Sequence, residues 1–89
     1  MSAKRFIVRG RVQGVNFRWT AAREAQRLGI TGRIWNRDDG AVEAEAAGSD
    51  DALATFEAWL HRGPQHARVE TVEVEAMADA PRERDFAIG

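Results

Sequence analysis

Residues 32–48 read GRIWNRDDGAVEAEAAG, two strand-like runs joined by a short polar turn. Asp39-Gly40 is a strong hairpin signal, because these residue types adopt the positive φ angles of a tight turn at low cost. In the second run, valine and alanine alternate with glutamate from Val42 to Ala46, which predicts a strand with one buried and one wet face. The stretch therefore predicts a β-hairpin in the middle of the chain.

A helix and a strand lie on each side of this hairpin. The predicted elements are strand Arg5–Gly10, helix Trp19–Leu28, strand Ile30–Asn36, strand Ala41–Ala47, a helix from Asp50 or Asp51 to His61, strand Arg68–Glu75 and a short strand Asp85–Ile88. This β-α-β-β-α-β order predicts an α+β fold, a ferredoxin-like sandwich whose antiparallel sheet carries both helices on one face. The first and third strands should be central neighbours, with the second beside the third. In the strand Arg68–Glu75 the apolar residues change from one face to the other between Val69 and Val72, which predicts a bulge or register change.

Composition narrows the class of protein. The chain has 89 residues, enough for one small domain spanning residues 1–89, and 44% of them are hydrophobic, which excludes a disordered chain. The net charge of −1 provides no attraction to nucleic acid or an anionic membrane. The absence of cysteine excludes a disulfide scaffold, a thiol nucleophile and a thiolate zinc site. With no signal-peptide-like or membrane-spanning run, we expect a soluble cytoplasmic protein that needs to be no more than a monomer.

The connection between the first strand and the first helix, residues 10–18, reads GRVQGVNFR and contains none of the chain's 14 acidic residues. The first turn of a helix offers free N–H groups and a partial positive charge. Gly14 lets a ligand approach the backbone closely, and the Arg18 guanidinium can bind two phosphate oxygens at once. The stretch thus predicts a site for a small phosphate or carboxylate. The alternative is a tight strand-to-helix turn with Arg18 at the surface.

The same stretch resembles the first signature of the acylphosphatases, Gly-x-Val-Gln-Gly-Val-x-Phe-Arg. A second family signature is Gly, three residues, Asn, three residues, Gly-x-Val, five residues, Gly. It is matched here by Gly32, Asn36, Gly40, Val42 and Gly48. The resemblance covers essentially the whole chain. Two departures are Arg33, where the family usually has an aromatic residue, and Gly89, one residue beyond the common Phe-x-Ile ending.

This resemblance implies an enzyme that hydrolyses small-molecule acyl phosphates, mixed carboxylic–phosphoric anhydrides, to a carboxylate and inorganic phosphate. It implies no metal and no other cofactor. Arg18 and Asn36 are the implied catalytic residues: Arg18 grips the phosphate, and the Asn36 amide orients the attacking water. The implied phosphate-binding loop consists of Gln13, Gly14, Val15, Asn16, Phe17 and Arg18, through their backbone N–H groups. The identity of the acyl group, and whether the Gly89 carboxylate contacts Arg18, stay open.

Two other functions compete with this prediction. A non-catalytic phosphate-ligand module of the same fold, of the carbamoyl-phosphate type, is the closer alternative, but the length of the chain and the presence of both Arg18 and Asn36 favour the enzyme. A single-stranded RNA binder of this fold would stack bases on exposed aromatic side chains of the sheet and usually carries positive charge. This chain is weakly acidic and lacks tyrosine, so we expect no nucleic-acid partner.

The remaining polar and aromatic candidates have structural interpretations. Asp38-Asp39 precedes a glycine and is more typical of a turn than of a metal site or a phosphorylated nucleophile. His61 and His66 are expected at the surface, away from the loop. Trp19 and Trp35 could either line the pocket or pack beneath a helix, and the sequence leaves both open.

Overall fold

The structure is a computed structural model that describes all residues, 1–89. Its elements are β1 (Ser2–Arg11), α1 (Phe17–Arg27), β2 (Thr31–Asn36), β3 (Val42–Gly48), α2 (Asp50–Arg62), β4 (Arg68–Ala76) and β5 (Phe86–Ile88). Every predicted element is present and in the predicted order. The largest difference is in β1, which begins at Ser2 because its first residues continue to pair with β3 as far as Gly48. The first helix also begins two residues earlier than predicted, at Phe17.

The five strands form one sheet in the order β4-β1-β3-β2-β5. The four long strands pair with one another in antiparallel fashion, with β1 and β3 in the centre and β2 beside β3, as the topology predicts. The short tail strand β5 pairs parallel to β2, so the complete sheet is mixed rather than purely antiparallel. The connection after β4 crosses to the opposite edge of the sheet, and β5 therefore enters beside β2 in the same direction. The architecture is the predicted ferredoxin-like sandwich.

The predicted irregularity in the fourth strand is a bulge opposite β1. Gly10 pairs with Val69 whereas Arg9 pairs with Thr71, so β4 carries one extra residue, Glu70, between them. Gly10 has φ +132°, and a Cβ there would lie 2.2 Å from the Arg68 carbonyl oxygen. Only glycine fits this close approach of two backbones. The bulge lies at the end of β1, where the strand leads into the acid-free loop.

Both helices pack on one face of the sheet and enclose the core. The core consists of Phe6, Val8, Val12, Phe17, Ala21, Ala22, Ala25, Ile30, Ile34, Val42, Ala44, Ala46, Leu53, Phe56, Leu60 and Phe86. Phe56 of α2 makes edge-on contacts with Phe6 of β1, at a centroid distance of 5.7 Å, and with Phe86 of β5, at 5.8 Å. These contacts tie a central strand, a helix and the tail strand together. Trp59 of α2 is partly buried and packs edge-on against Phe17.

The other face of the sheet carries no helix and is covered by ion pairs between strands. Arg5 of β1 contacts Glu45 of β3 at 3.1 Å, and Arg9 contacts Glu73 of β4 at 2.6 Å. Opposite charges on adjacent strands are the arrangement expected of an exposed sheet face. Neither helix is both long enough and apolar enough to span a membrane.

Phe86→Ala should lower the free energy of unfolding by about 3 kcal/mol, because it leaves a cavity against Phe56 and loosens β5. Urea unfolding followed by circular dichroism measures the loss. Ala87→Ser, an exposed change in the same strand, is the matched control and should stay within about 0.5 kcal/mol of the parent chain. Equal losses in the two variants would contradict the importance of this aromatic contact.

Candidate active site

Three strands end at the same edge of the sheet. Strands β1 and β2 are both antiparallel to β3, and β5 is parallel to β2, so all three run in one direction. The register brings their ends together, because Val8 of β1 and Asn36 of β2 both pair with Val42 of β3. Val8 and Asn36 are therefore two strand spacings apart, about 10 Å. The loop after β1 and the side chain that ends β2 consequently face the same region of solvent.

The acid-free loop crosses this edge between β1 and α1. Gly14 and Asn16 both have positive φ angles, +75° and +67°, and a Cβ at Gly14 would meet no atom within 4 Å. No main-chain N–H from Gln13 to Arg18 donates a hydrogen bond to another group of the protein, and the first turn of α1 holds no acidic residue. Free N–H groups at a helix N-terminus, with no carboxylate to compete for them, favour an anion.

Arg18 lies in the first turn of α1 and is held by the last residue of the sequence. Its Nη1 donates a hydrogen bond of 2.7 Å to the main-chain oxygen of Gly89. The Gly89 N–H in turn donates to the Ile34 carbonyl oxygen at 2.7 Å. The question left open by the sequence, whether the end of the chain reaches Arg18, is thus answered at the main-chain oxygen. The contact uses one N–H of the guanidinium, and no Asp or Glu side chain forms an ion pair with this arginine.

The Gln13 side chain fastens the loop to the β2–β3 hairpin. Its Nε2 donates to the carbonyl oxygens of Arg37, at 2.8 Å, and Ala41, at 3.0 Å. Because both partners are acceptors only, the amide group must present its nitrogen to them. Arg37 directly follows Asn36, so Gln13 sets the spacing between the loop and the end of β2. The side chain of Gln13 therefore points at the hairpin and does not line the cavity described next.

A cavity of about 340 Å³ opens between these parts. It is lined by Val12, Gly14, Asn16, Phe17, Arg18, Trp19, Asn36 and Ile88, with no acidic residue among them. The structure thus brings together Arg18 and Asn36, which are 18 residues apart in the sequence, with three other members of the predicted loop, Gly14, Asn16 and Phe17. Val15, which the sequence analysis included, does not line the cavity and packs partly against the core.

Three lining residues, Val12, Trp19 and Ile88, were not among the predicted site residues, and Val12 is a buried core residue. From the sequence, Trp19 could either line the pocket or pack beneath a helix. Its position in the first helical turn, beside Arg18, is a signal that favours the pocket. For Ile88 the sequence held no such signal, since only the parallel pairing of β5 with β2 carries it to this edge. Trp35 does not line this cavity; the Arg33 guanidinium stacks 4.4 Å from the centroid of its ring. His61 and His66 are exposed and lie outside it, as predicted.

The hairpin beyond Asn36 is ordered by Asp39. Its Oδ1 accepts a hydrogen bond from the Ala41 N–H at 3.1 Å, and both Arg9 and Arg37 lie within 3.2 Å of the carboxylate. The Ala41 N–H, followed by the two guanidinium groups, holds the pKa of Asp39 below its ordinary value of 3.8. The predicted turn role of Asp38-Asp39 is confirmed. No three His, Asp or Glu side chains are grouped so that they could hold a metal ion.

Comparison with known proteins agrees with the resemblance of the two signatures. A family profile described as acylphosphatase matches residues 4–88. The chain belongs to the acylphosphatase family. A Pasteurella multocida acylphosphatase is 44% identical over 88 residues, covering 99% of this chain and 98% of its own. The crystal structure of an acylphosphatase from Bacillus subtilis superposes with a TM-score of 0.95 at 36% identity, covering 100% of this chain and 99% of that one.

A domain of a larger protein has the same architecture. The structure of HypF from T. kodakarensis matches 100% of this chain with a TM-score of 0.86 and 27% identity, but the match covers only 12% of that protein. Membership of the acylphosphatase family confirms the predicted enzyme class and the predicted fold.

Gln13→Leu should lower the free energy of unfolding by about 1–3 kcal/mol, because two part-buried hydrogen bonds to the hairpin are lost with little change in volume. Urea unfolding measures the difference. Gln65→Leu is the matched control, since Gln65 is exposed and donates no hydrogen bond; it should change stability by less than about 0.5 kcal/mol. An unaltered urea midpoint for Gln13→Leu would mean that other contacts hold the loop in place.

The lowered pKa of Asp39 predicts a stability difference that depends on pH. A carboxyl whose folded-state pKa lies below its ordinary value of 3.8 stabilises the fold above that value, and the contribution is lost as pH falls through the folded-state pKa. Melting temperatures of the parent chain and Asp39→Asn should therefore differ at pH 6 and converge towards pH 2. A difference that stays constant over this range would show that the charge of Asp39 does not stabilise the hairpin.

Proposed function

We propose that the chain hydrolyses the carboxyl–phosphate bond of acyl phosphates, with the phosphate held by the loop of residues 13–18 and Arg18, and the water held by Asn36. The single observation that carries this assignment is the shared cavity. Arg18, Asn36 and the open loop line the same 340 Å³ space, and no acidic side chain lines it. An anion can thus bind beside a neutral hydrogen-bonding amide, with nothing to repel it.

The phosphate would bind where the unpaired N–H groups of the loop and the Arg18 guanidinium converge. The hydrogen bond to Gly89 occupies one guanidinium N–H and restricts the side chain, which leaves the other N–H groups for phosphate oxygens. A prealigned guanidinium costs less conformational entropy on binding than a free one. Gly14 allows the phosphate to approach the backbone, because no Cβ stands between them.

Asn36 is suited to orienting the water rather than to deprotonating it, because a side-chain amide does not accept a proton near neutral pH. In the proposed step the water oxygen forms a bond to phosphorus, and the bond from phosphorus to the bridging oxygen breaks. The electron pair of that bond stays on the leaving carboxylate. The attacking water keeps one proton as the new P–OH group, and its other proton moves to another oxygen of the phosphate product. The leaving carboxylate is a weak base and needs no strong general acid.

The main contribution of the protein is therefore to position the phosphate and the water and to stabilise the charge of the transition state. Phosphoryl transfer passes through a loose transition state whose charge is spread over the phosphate oxygens, where N–H groups and a guanidinium act most effectively. All the residues assigned a role come from one chain, so we expect a monomer to be active. The closest alternative is a phosphate-ligand module of the same fold without turnover. The match to HypF shows that this fold also occurs as part of a larger protein.

Asn36→Ala should lower kcat about 100-fold with less than threefold change in KM, because it removes water placement and leaves phosphate binding intact. Arg18→Ala should lower kcat/KM about 1000-fold and raise KM as well, because it removes charge stabilisation in both states. Release of inorganic phosphate from acetyl phosphate, with EDTA present, measures both variants.

Arg82→Ala is the matched control for the loss of a guanidinium, since Arg82 is exposed in the connection before β5 and does not line the cavity; it should retain full activity. Undiminished turnover in Asn36→Ala would refute its role with the water. Binding of inorganic phosphate without turnover in the parent chain would favour the non-catalytic module. Loss of the parent activity in EDTA would contradict a metal-free reaction.

A further inference from the structure

The solvent-exposed apolar side chains are few, and two of them meet at the cavity. Only four large hydrophobic residues are exposed in the whole chain: Met1, Trp19, Val74 and Ile88. Trp19, 49% exposed, and Ile88, 45% exposed, line the cavity that also holds Arg18 and Asn36. The other apolar lining residues, Val12 and Phe17, are each only 1% exposed. The apolar surface that a ligand could touch there comes from Trp19 and Ile88.

Trp19 and Ile88 stay exposed although other residues of their own elements are buried in the core. The buried side of α1 is formed by Phe17, Ala21, Ala22 and Ala25, and Trp19 lies on a different side of the helix. In β5, Phe86 and Ile88 lie on the same face of the strand; Phe86 is buried, whereas Ile88, the last residue of β5, remains exposed. A single exposed apolar side chain is ordinary in a soluble protein. Two on the lining of one cavity, from elements 69 residues apart in sequence, are a combination that a ligand surface would explain.

The indole of Trp19 is also held in place. The Arg23 guanidinium, one turn further along α1, lies 4.8 Å from the centroid of the Trp19 ring, the distance of a cation–π contact. Ile88 is fixed by the backbone pairing of β5 with Ile34 of β2. A flat aromatic surface and a branched aliphatic one are thus presented at fixed positions on the cavity lining. Preorganised surfaces of this kind lose little entropy when a ligand binds.

Resting on the proposed function, we infer that Trp19 and Ile88 form the subsite for the acyl group and favour acyl phosphates whose acyl group is flat and apolar, such as an aromatic acyl group. The acyl carbon is joined to phosphorus through a single bridging oxygen. If the phosphate lies at the loop and Arg18, the acyl group must lie in the same cavity. Its volume of about 340 Å³ is at the small end of ligand pockets, which suits one ring and a phosphate.

The subsite acts on substrate choice rather than on the reacting bond. An aromatic acyl group can stack against the indole and contact Ile88, whereas an acetyl group is too small to gain much from either. Apolar contacts of this size change kcat/KM by about 10-fold to 200-fold between substrates. The inorganic phosphate product has no acyl group, so its binding should not depend on Trp19.

The test compares kcat/KM for benzoyl phosphate and acetyl phosphate in the parent chain and in Trp19→Ala. We expect a loss of about tenfold on benzoyl phosphate and less than twofold on acetyl phosphate. The inhibition constant of inorganic phosphate should stay within about twofold. Trp19→Phe, which keeps an aromatic ring, should restore most of the preference, and Ile88→Thr should reduce it about threefold.

Trp35→Ala is the matched control. Trp35 also carries a stacked arginine, at 4.4 Å, but it does not line the cavity, so the ratio of the two kcat/KM values should not change. Melting curves establish that each variant is folded. Equal loss on both substrates in Trp19→Ala, or the same change of ratio in Trp35→Ala, would overturn the acyl subsite.

A failure of the proposed function gives a different pattern. If the parent chain hydrolyses neither substrate, the catalytic assignment is wrong, and the subsite is decided by calorimetric binding of benzoylphosphonate and acetylphosphonate, in which a carbon–phosphorus bond replaces the anhydride linkage. Tighter binding of benzoylphosphonate that is lost in Trp19→Ala and kept in Trp35→Ala would uphold the subsite. Equal affinity for the two phosphonates in the parent chain would refute it.

Discussion

The site depends on the register of β3 with its two neighbours. Val42, the first residue of β3, pairs on one side with Val8 and on the other with Asn36, so the ends of β1 and β2 meet at one edge of the sheet. A slip of one residue would turn every side chain of β3 to the opposite face, placing Glu43 and Glu45 against the helices. Burial of the alanines of β3 therefore fixes the register and, with it, the distance between the loop and Asn36.

The sheet sets the approximate positions of the loop, Asn36 and Arg18, and local contacts then fix them more closely. Gln13 ties the loop to the hairpin, and Asp39 orders that hairpin with Arg9 and Arg37. The tail strand adds the last constraint, because its parallel pairing with β2 carries Gly89 to Arg18. The guanidinium is thus supported from an element far away in sequence. A cavity with few titratable groups is suited to a reaction that asks for positioning and positive charge rather than proton transfer.

Much of this was predictable because the hydrophobic pattern is regular. The alternation in β3 and the Asp39-Gly40 turn predicted the hairpin, and the shift of the apolar residues near Val69 predicted the bulge. The order of the elements along the chain predicted which strands are neighbours. The boundaries of β1 were less predictable, because its first residues form a strand only through pairing with β3. The role of the Gln13 side chain could not be predicted either, because a glutamine in this loop could contact a ligand as well as the hairpin that it contacts in the structure.

The sequence by itself determined the element order, the exclusion of acids from the loop of residues 10–18 and the family, because these follow from residue types at fixed spacing. Only the tertiary structure decided that β5 runs parallel to β2, that Gly89 contacts Arg18, and that Trp19 and Ile88 share one cavity with Asn36. These features join residues that are up to 71 positions apart. Their proximity results from strand pairing across the whole sheet, and no local pattern in the chain encodes it.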